Sequence, residues 1–84
     1  MTTITHASVW QAIDTLARRH GMSASGLAIQ AGFDPCCFNP SKRVDQFGKP
    51  RWPNMSTVAR CLEVTGETLN GFATLVDEAR EAAQ

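Results

Sequence analysis

The densest cluster of residues in this chain whose types could do chemistry stands in one stretch, DPCCFNPSKRVDQFGKPRWPN, from Asp34 to Asn54. It holds the adjacent Cys36 and Cys37, four prolines, and Lys42, Arg43, Lys49 and Arg51, four of the chain's eight cations. Thiolates can ligate zinc or exchange disulfides. A zinc site, however, takes about four ligands, in paired spacings such as C-x2-C. Here the other candidates are a distant Cys61 and the lone His6 and His20, and there is no C-x-x-C, so neither a metal nor a redox role is expected and no cofactor is implied. The cations, with Asp45 alone among them, suit a surface that meets something negative.

Catalysis is not expected either. No Ser/His/Asp or Cys/His set stands at a glycine-rich turn, there is no phosphate loop or carboxylate pair, and 84 residues leave little room for a cleft. The length sets a single domain over residues 1–84, since one core occupies about 50–200 residues. With 43% hydrophobic and 19% charged residues the composition is that of a folded globule. No apolar run approaches the ~18 residues of a membrane span, the first residues lack a signal-peptide layout, and three cysteines cannot close a disulfide framework. These features point to a cytoplasmic protein.

The net charge of zero hides a division. Residues 1–53 carry six Lys/Arg against three Asp, whereas residues 54–84 carry two Arg against five acids. A binding face responds to its local field, so this asymmetry matters more than the total.

The elements that position these residues read as all-α. Val9, Ile13, Leu16 and Ala17 recur at helical steps, which predicts a helix from His6 to His20 stopped by Gly21. Ser23 is placed to cap a second, short helix that carries Leu27, Ala28 and Ala31 and ends at Gly32. Asp34-Pro35 is a helix-start pair, so a third helix is expected from Pro35, ending or kinking near Asn39 because Pro40 loses a backbone bond and clashes. Val44 to Asn54, with Gly48, Pro50 and Pro53, reads as a Pro/Gly-rich loop. Asn54 or Ser56 can cap a fourth helix closed by Gly66, and Thr68 a fifth carrying Leu69, Phe72, Leu75 and Val76. Trp52 is expected to anchor the loop to the core, and Trp10, Met22, Phe47 and Met55 to be core or rim residues.

Only Gly32, Phe33 and Asp34 separate the second and third helices, the joint of a helix-turn-helix spanning about 23–43. On these residues the chain resembles a known family. MSASGLAIQAGFDPCCFNPSKR is similar to the helix-turn-helix of lambda-repressor-like (XRE-class) regulators. The longer run to Phe72, with Phe38–Arg43, Gly48–Pro53 and Val64–Leu69, resembles the N-terminal domains of phage-repressor-like regulators that carry a peptidase-like S24 domain behind them. The chain departs from that pattern at Ala24, where glutamine is common, and at Pro40, often lysine.

The resemblance implies a five-helix lambda-repressor-like fold, sequence-specific binding of double-stranded DNA and transcriptional regulation, most simply as a repressor in a bacterial or phage setting. A third helix would present Cys36 and Asn39 to base edges in the major groove. Asn39 has an equal alternative as a local cap, and Cys37 reads as a small packing residue. Lys42, Arg43, Lys49 and Arg51, with Ser23 and Ser25 at the start of the second helix, would meet the DNA backbone; Ser23 is explained as well by capping. Four neutralised phosphates would give a log–log salt slope of roughly −3 to −4. One module buries only ~600–1,000 Å² against DNA, so a homodimer on two half-sites is expected, with the last helix or a further domain supplying its contact. The rival reading is a protein-interaction module that keeps the helical shape; Ala24, Pro40 and the zero net charge favour it.

Overall fold

The computed structural model describes residues 4–82. They form four α-helices: α1 (His6–Arg19), α2 (Ala24–Gln30), α3 (Met55–Thr65) and α4 (Leu69–Ala82), with one 3-10 turn at Pro40–Lys42. Helix α1 packs most extensively against α4 and also meets α2, while α3 joins α2 to α4. No helix among the described residues is long and apolar enough to cross a membrane.

Each helix follows from local signals. Thr5 and Ser8 start α1 with a reciprocal capping box, Thr5 Oγ1 accepting from the Ser8 N–H and Ser8 Oγ from the Thr5 N–H, each at 3.1 Å. The α1 face Val9, Ile13, Leu16 and Ala17 is buried, as the spacing predicts, with Ala12 buried beside it. Ser23 caps α2 by accepting from Gly26, and Asn54 caps α3 by accepting from Thr57. Thr68 accepts from the Gly71 N–H at the head of α4. Helix α2 closes through paired bonds: Phe33 N–H reaches the Ala28 carbonyl at 2.9 Å and Gly32 N–H the Ile29 carbonyl at 3.0 Å. That closure needs a left-handed residue, which Gly32 supplies at φ 86° without the Cβ clash another residue would meet.

The expected third helix is absent, so neither five helices nor a helix-turn-helix over 23–43 is present. From Asp34 to Arg43 the backbone makes successive three-residue bonds, Cys37 N–H to Asp34 O, Asn39 N–H to Cys36 O, Lys42 N–H to Asn39 O and Arg43 N–H to Pro40 O. Pro40 explains the difference twice. It lacks the N–H that an α-helix would direct to the Cys36 carbonyl. Its ring also drives the preceding residue out of the α region, and Asn39 sits extended at φ −64°, ψ 147°. A helix begun at Pro35 is thereby limited to under two turns, too short to repay nucleation.

In the last helix Phe72, Leu75 and Val76 belong to the core, and of the four apolar residues expected on it only Leu69 stays exposed.

Candidate functional site

The stretch Asp34–Asn54 is ordered by side chains that satisfy its backbone. Asp34 Oδ1 accepts from the Cys36 N–H at 2.8 Å and fixes the first turn. Asp45 Oδ1 accepts from Phe47 and Lys49 N–H groups at 2.8 and 2.9 Å. Its own N–H reaches the Lys49 carbonyl, and Val44 bridges Pro50 antiparallel, so residues 43–51 make a tight hairpin. Gly48 turns its tip at φ 81°.

Helix α1 holds the base of that hairpin. His6 Nε2 lies 2.7 Å from the Arg43 carbonyl and 3.0 Å from the Arg51 carbonyl, and between two acceptors this nitrogen must carry the proton. Trp10 Nε1 donates to the same Arg51 carbonyl at 2.8 Å. One turn on, Asp14 takes both terminal nitrogens of Arg43, at 3.0 and 2.7 Å. His6, Trp10 and Asp14 thus form one row at four-residue steps along α1.

Arg43 therefore differs from its expected role at DNA phosphates. Its guanidinium also donates to the Phe38 carbonyl, from Nε at 3.2 Å and Nη2 at 2.9 Å, and stacks 4.9 Å from the Trp10 ring centroid. Only 16% of its side chain is exposed. Each of the three guanidinium nitrogens is bonded within the chain, which leaves little of the fork to grip a phosphate.

The other expected contacts are placed as follows. Lys42, Lys49 and Arg51 are exposed, and none of them enters an ion pair among the described residues. Cys36 is exposed, on a turn rather than a helix. Asn39 is half-buried and its side chain makes no capping bond. Ser23 is spent as the α2 cap, and Ser25 is half-buried beside it.

A groove of about 540 Å³ runs between the turns at 34–38 and the chain entering α3, and it brings Cys36, Lys42 and Arg51 together. Asn39, Lys49, Ser23 and Ser25 lie outside it. Its floor is aromatic: Phe38 is buried and meets Trp10 and Phe33 edge-on, with ring centroids 5.9 and 6.3 Å away. Its wall is Trp52, and here the anchoring expectation fails. Trp52 is 52% exposed and meets the His6 ring edge-to-face, with centroids 5.9 Å apart, whereas Trp10 is the tryptophan that pins the loop. Phe47 at the hairpin tip, 78% exposed, and Met55 likewise stand outside both the core and the rim expected for them.

The thiols are graded by burial. Cys37 packs half-buried on the core, and its pKa is raised by burial first, then by the Asp34 carboxylate and Cys36. Burial pushes the Cys61 thiol up to about 11. No cluster of three or more His, Cys, Asp or Glu among the described residues is arranged to hold a metal ion. Compared with protein-family models, with curated proteins and with solved structures, the chain gives no match.

Proposed function

We propose that the chain is a double-stranded-DNA-binding transcriptional regulator of the lambda-repressor-like class, acting as a repressor, in which an ordered turn-and-hairpin segment takes the place of a recognition helix. One observation carries this reading: Lys42, Lys49 and Arg51 project without internal partners from a segment whose backbone is already tied to α1. Pre-ordering matters because each cation then meets a phosphate without first paying for loop order. Cys36, exposed on its turn, and Asn39, with no cap bond, supply the side chains for base edges. Two copies on half-sites about one helical turn apart supply the affinity one module lacks.

Titration of a labelled duplex at several salt concentrations tests it. Three neutralised phosphates give a slope of about −2.7 per monomer, shallower than four cations would because Arg43 is engaged inside. Random-library selection should return a two-fold symmetric motif. A flat salt response, or unchanged binding on Lys42→Ala with Arg51→Ala, rejects the reading.

A protein-docking role has its own specific support, since the recognition helix is missing and Phe47, at the hairpin tip, is 78% exposed. Duplex binding that is absent at low salt would select that role.

A further inference from the structure

A groove with an aromatic floor, an exposed indole wall and two unpaired cations is more than a patch of positive field. We infer that it is a site for a single nucleotide, the base stacked on Trp52 and the phosphate held by Lys42 and Arg51. This deepens the proposed DNA-binding function and rests on it.

Three features of the groove point to that ligand. Its volume, about 540 Å³, lies inside the roughly 300–1,000 Å³ typical of small-ligand sites. Its charge is complementary to a phosphate: Lys42 and Arg51 face one acid, Asp34, whose Oδ1 is taken by the Cys36 N–H. Its π-surface is open, because Trp52 is 52% exposed and lies outside the packed core. Trp10, by contrast, spends its N–H on the Arg51 carbonyl and serves as floor. That same bond fixes the backbone from which Arg51 and Trp52 project, so cation and ring are held next to each other before any ligand arrives.

The geometry also selects an unpaired base. In an intact duplex every base is stacked on both faces and offers Trp52 no surface. A free mononucleotide or an unpaired residue within a strand presents both the face and the phosphate. Aromatic stacking of this kind is tolerant of base identity, whereas the phosphate is obligatory for the two cations.

The experiment uses the whole chain and follows tryptophan fluorescence and duplex affinity together. Deoxyadenosine monophosphate should quench the emission saturably, with inorganic phosphate giving no quenching at the same concentration. Trp52→Ala, checked for an unchanged thermal transition and titrated by calorimetry because the stacking fluorophore is gone, should weaken nucleotide binding by about ten-fold, and Lys42→Ala with Arg51→Ala should abolish it. A duplex bearing one unpaired adenosine separates the two sources: tighter binding than its fully paired counterpart, lost in Trp52→Ala, assigns the site to a residue within a strand. Quenching by the mononucleotide with no such preference assigns it to a free nucleotide. If the mononucleotide leaves the emission unmoved and Trp52→Ala binds bulged and paired duplexes as the parent does, the nucleotide site is wrong while duplex binding stands. If the mononucleotide saturates the groove but no duplex binds at low salt, the regulator reading fails instead.

Discussion

Replacement of Arg43 by alanine is the sharpest test of how this surface is built, because sequence and structure assign that residue opposite duties. In the structure the guanidinium makes two bonds to Asp14 and two to the Phe38 carbonyl, and stacks on Trp10. Breaking a buried ion pair from one side costs about 3–5 kcal/mol. Asp14 is 36% exposed and regains water when its partner leaves, which lowers that figure. The Phe38 carbonyl, left without a donor, adds back about 1–3 kcal/mol. A net loss of about 3 kcal/mol is expected, a fall in Tm of roughly 12–24 °C for a domain of this size. Arg43→Lys should recover only part of it, since an ammonium cannot span both carboxylate oxygens and the carbonyl. Thermal and urea unfolding read the effect, and a double-mutant cycle with Asp14→Ala isolates the pair. The control, Lys42→Ala, should stay within about 0.5 kcal/mol of the parent as an exposed substitution. If Arg43→Ala costs no more stability than Lys42→Ala, and the cycle shows no coupling, Arg43 is free to meet a phosphate and the internal assignment is wrong.

Two further outcomes follow from the same contacts. Trp10→Phe keeps the ring on the core but removes the donor to the Arg51 carbonyl, so urea unfolding should show a loss of about 1–2 kcal/mol, with faster hydrogen exchange across residues 43–51. Cys61 keeps its proton in the folded chain up to about pH 11, whereas an unperturbed thiol releases it near 9.0. Stability should therefore be flat in this thiol below pH 9 and fall between pH 9 and 11; the chain has no tyrosine to obscure that window, and Cys61→Ala should make the decline shallower without abolishing it, since the Cys37 thiol is raised in the same sense.

How much of this was legible in the sequence depended on the distance over which each signal acts. The four helices that form were readable to within a residue or two, because apolar spacing and the caps Ser23, Asn54 and Thr68 are local. The third helix was not, because the Asp34-Pro35 start signal was weighed as the beginning of an element, while the extended geometry that Pro40 imposes on Asn39 left no length for one. The anchors were missed for a different reason. His6 reaches Arg43 across 37 positions and Trp10 reaches Arg51 across 41, separations at which no residue pattern names a partner. Their four-residue spacing with Asp14 was a readable signal that one side of α1 carries polar and aromatic groups together, but it does not say what lies opposite. Trp10 is a core residue as expected, but that it rather than Trp52 pins the loop is not readable for the same reason: only the fold decides which indole finds the carbonyl.

The fates of Pro40 and Arg43 are physically linked. With Asn39 extended, the Phe38 carbonyl is bonded not by a backbone N–H but by the Arg43 guanidinium, whose position three residues past Pro40 sets it at the end of the 3-10 turn. The proline that removes the expected third helix thus recruits the nearest arginine as its replacement donor. It follows that the positive balance of residues 1–53 overstates the field offered to a partner. Arg43 is neutralised by Asp14, and Arg19 approaches Glu67 on the far helix. What remains unpaired among the described residues up to 53 is Arg18 on α1 and, beside an exposed indole, Lys42, Lys49 and Arg51, and it is the set beside the indole whose salt slope and stacking any functional account has to meet.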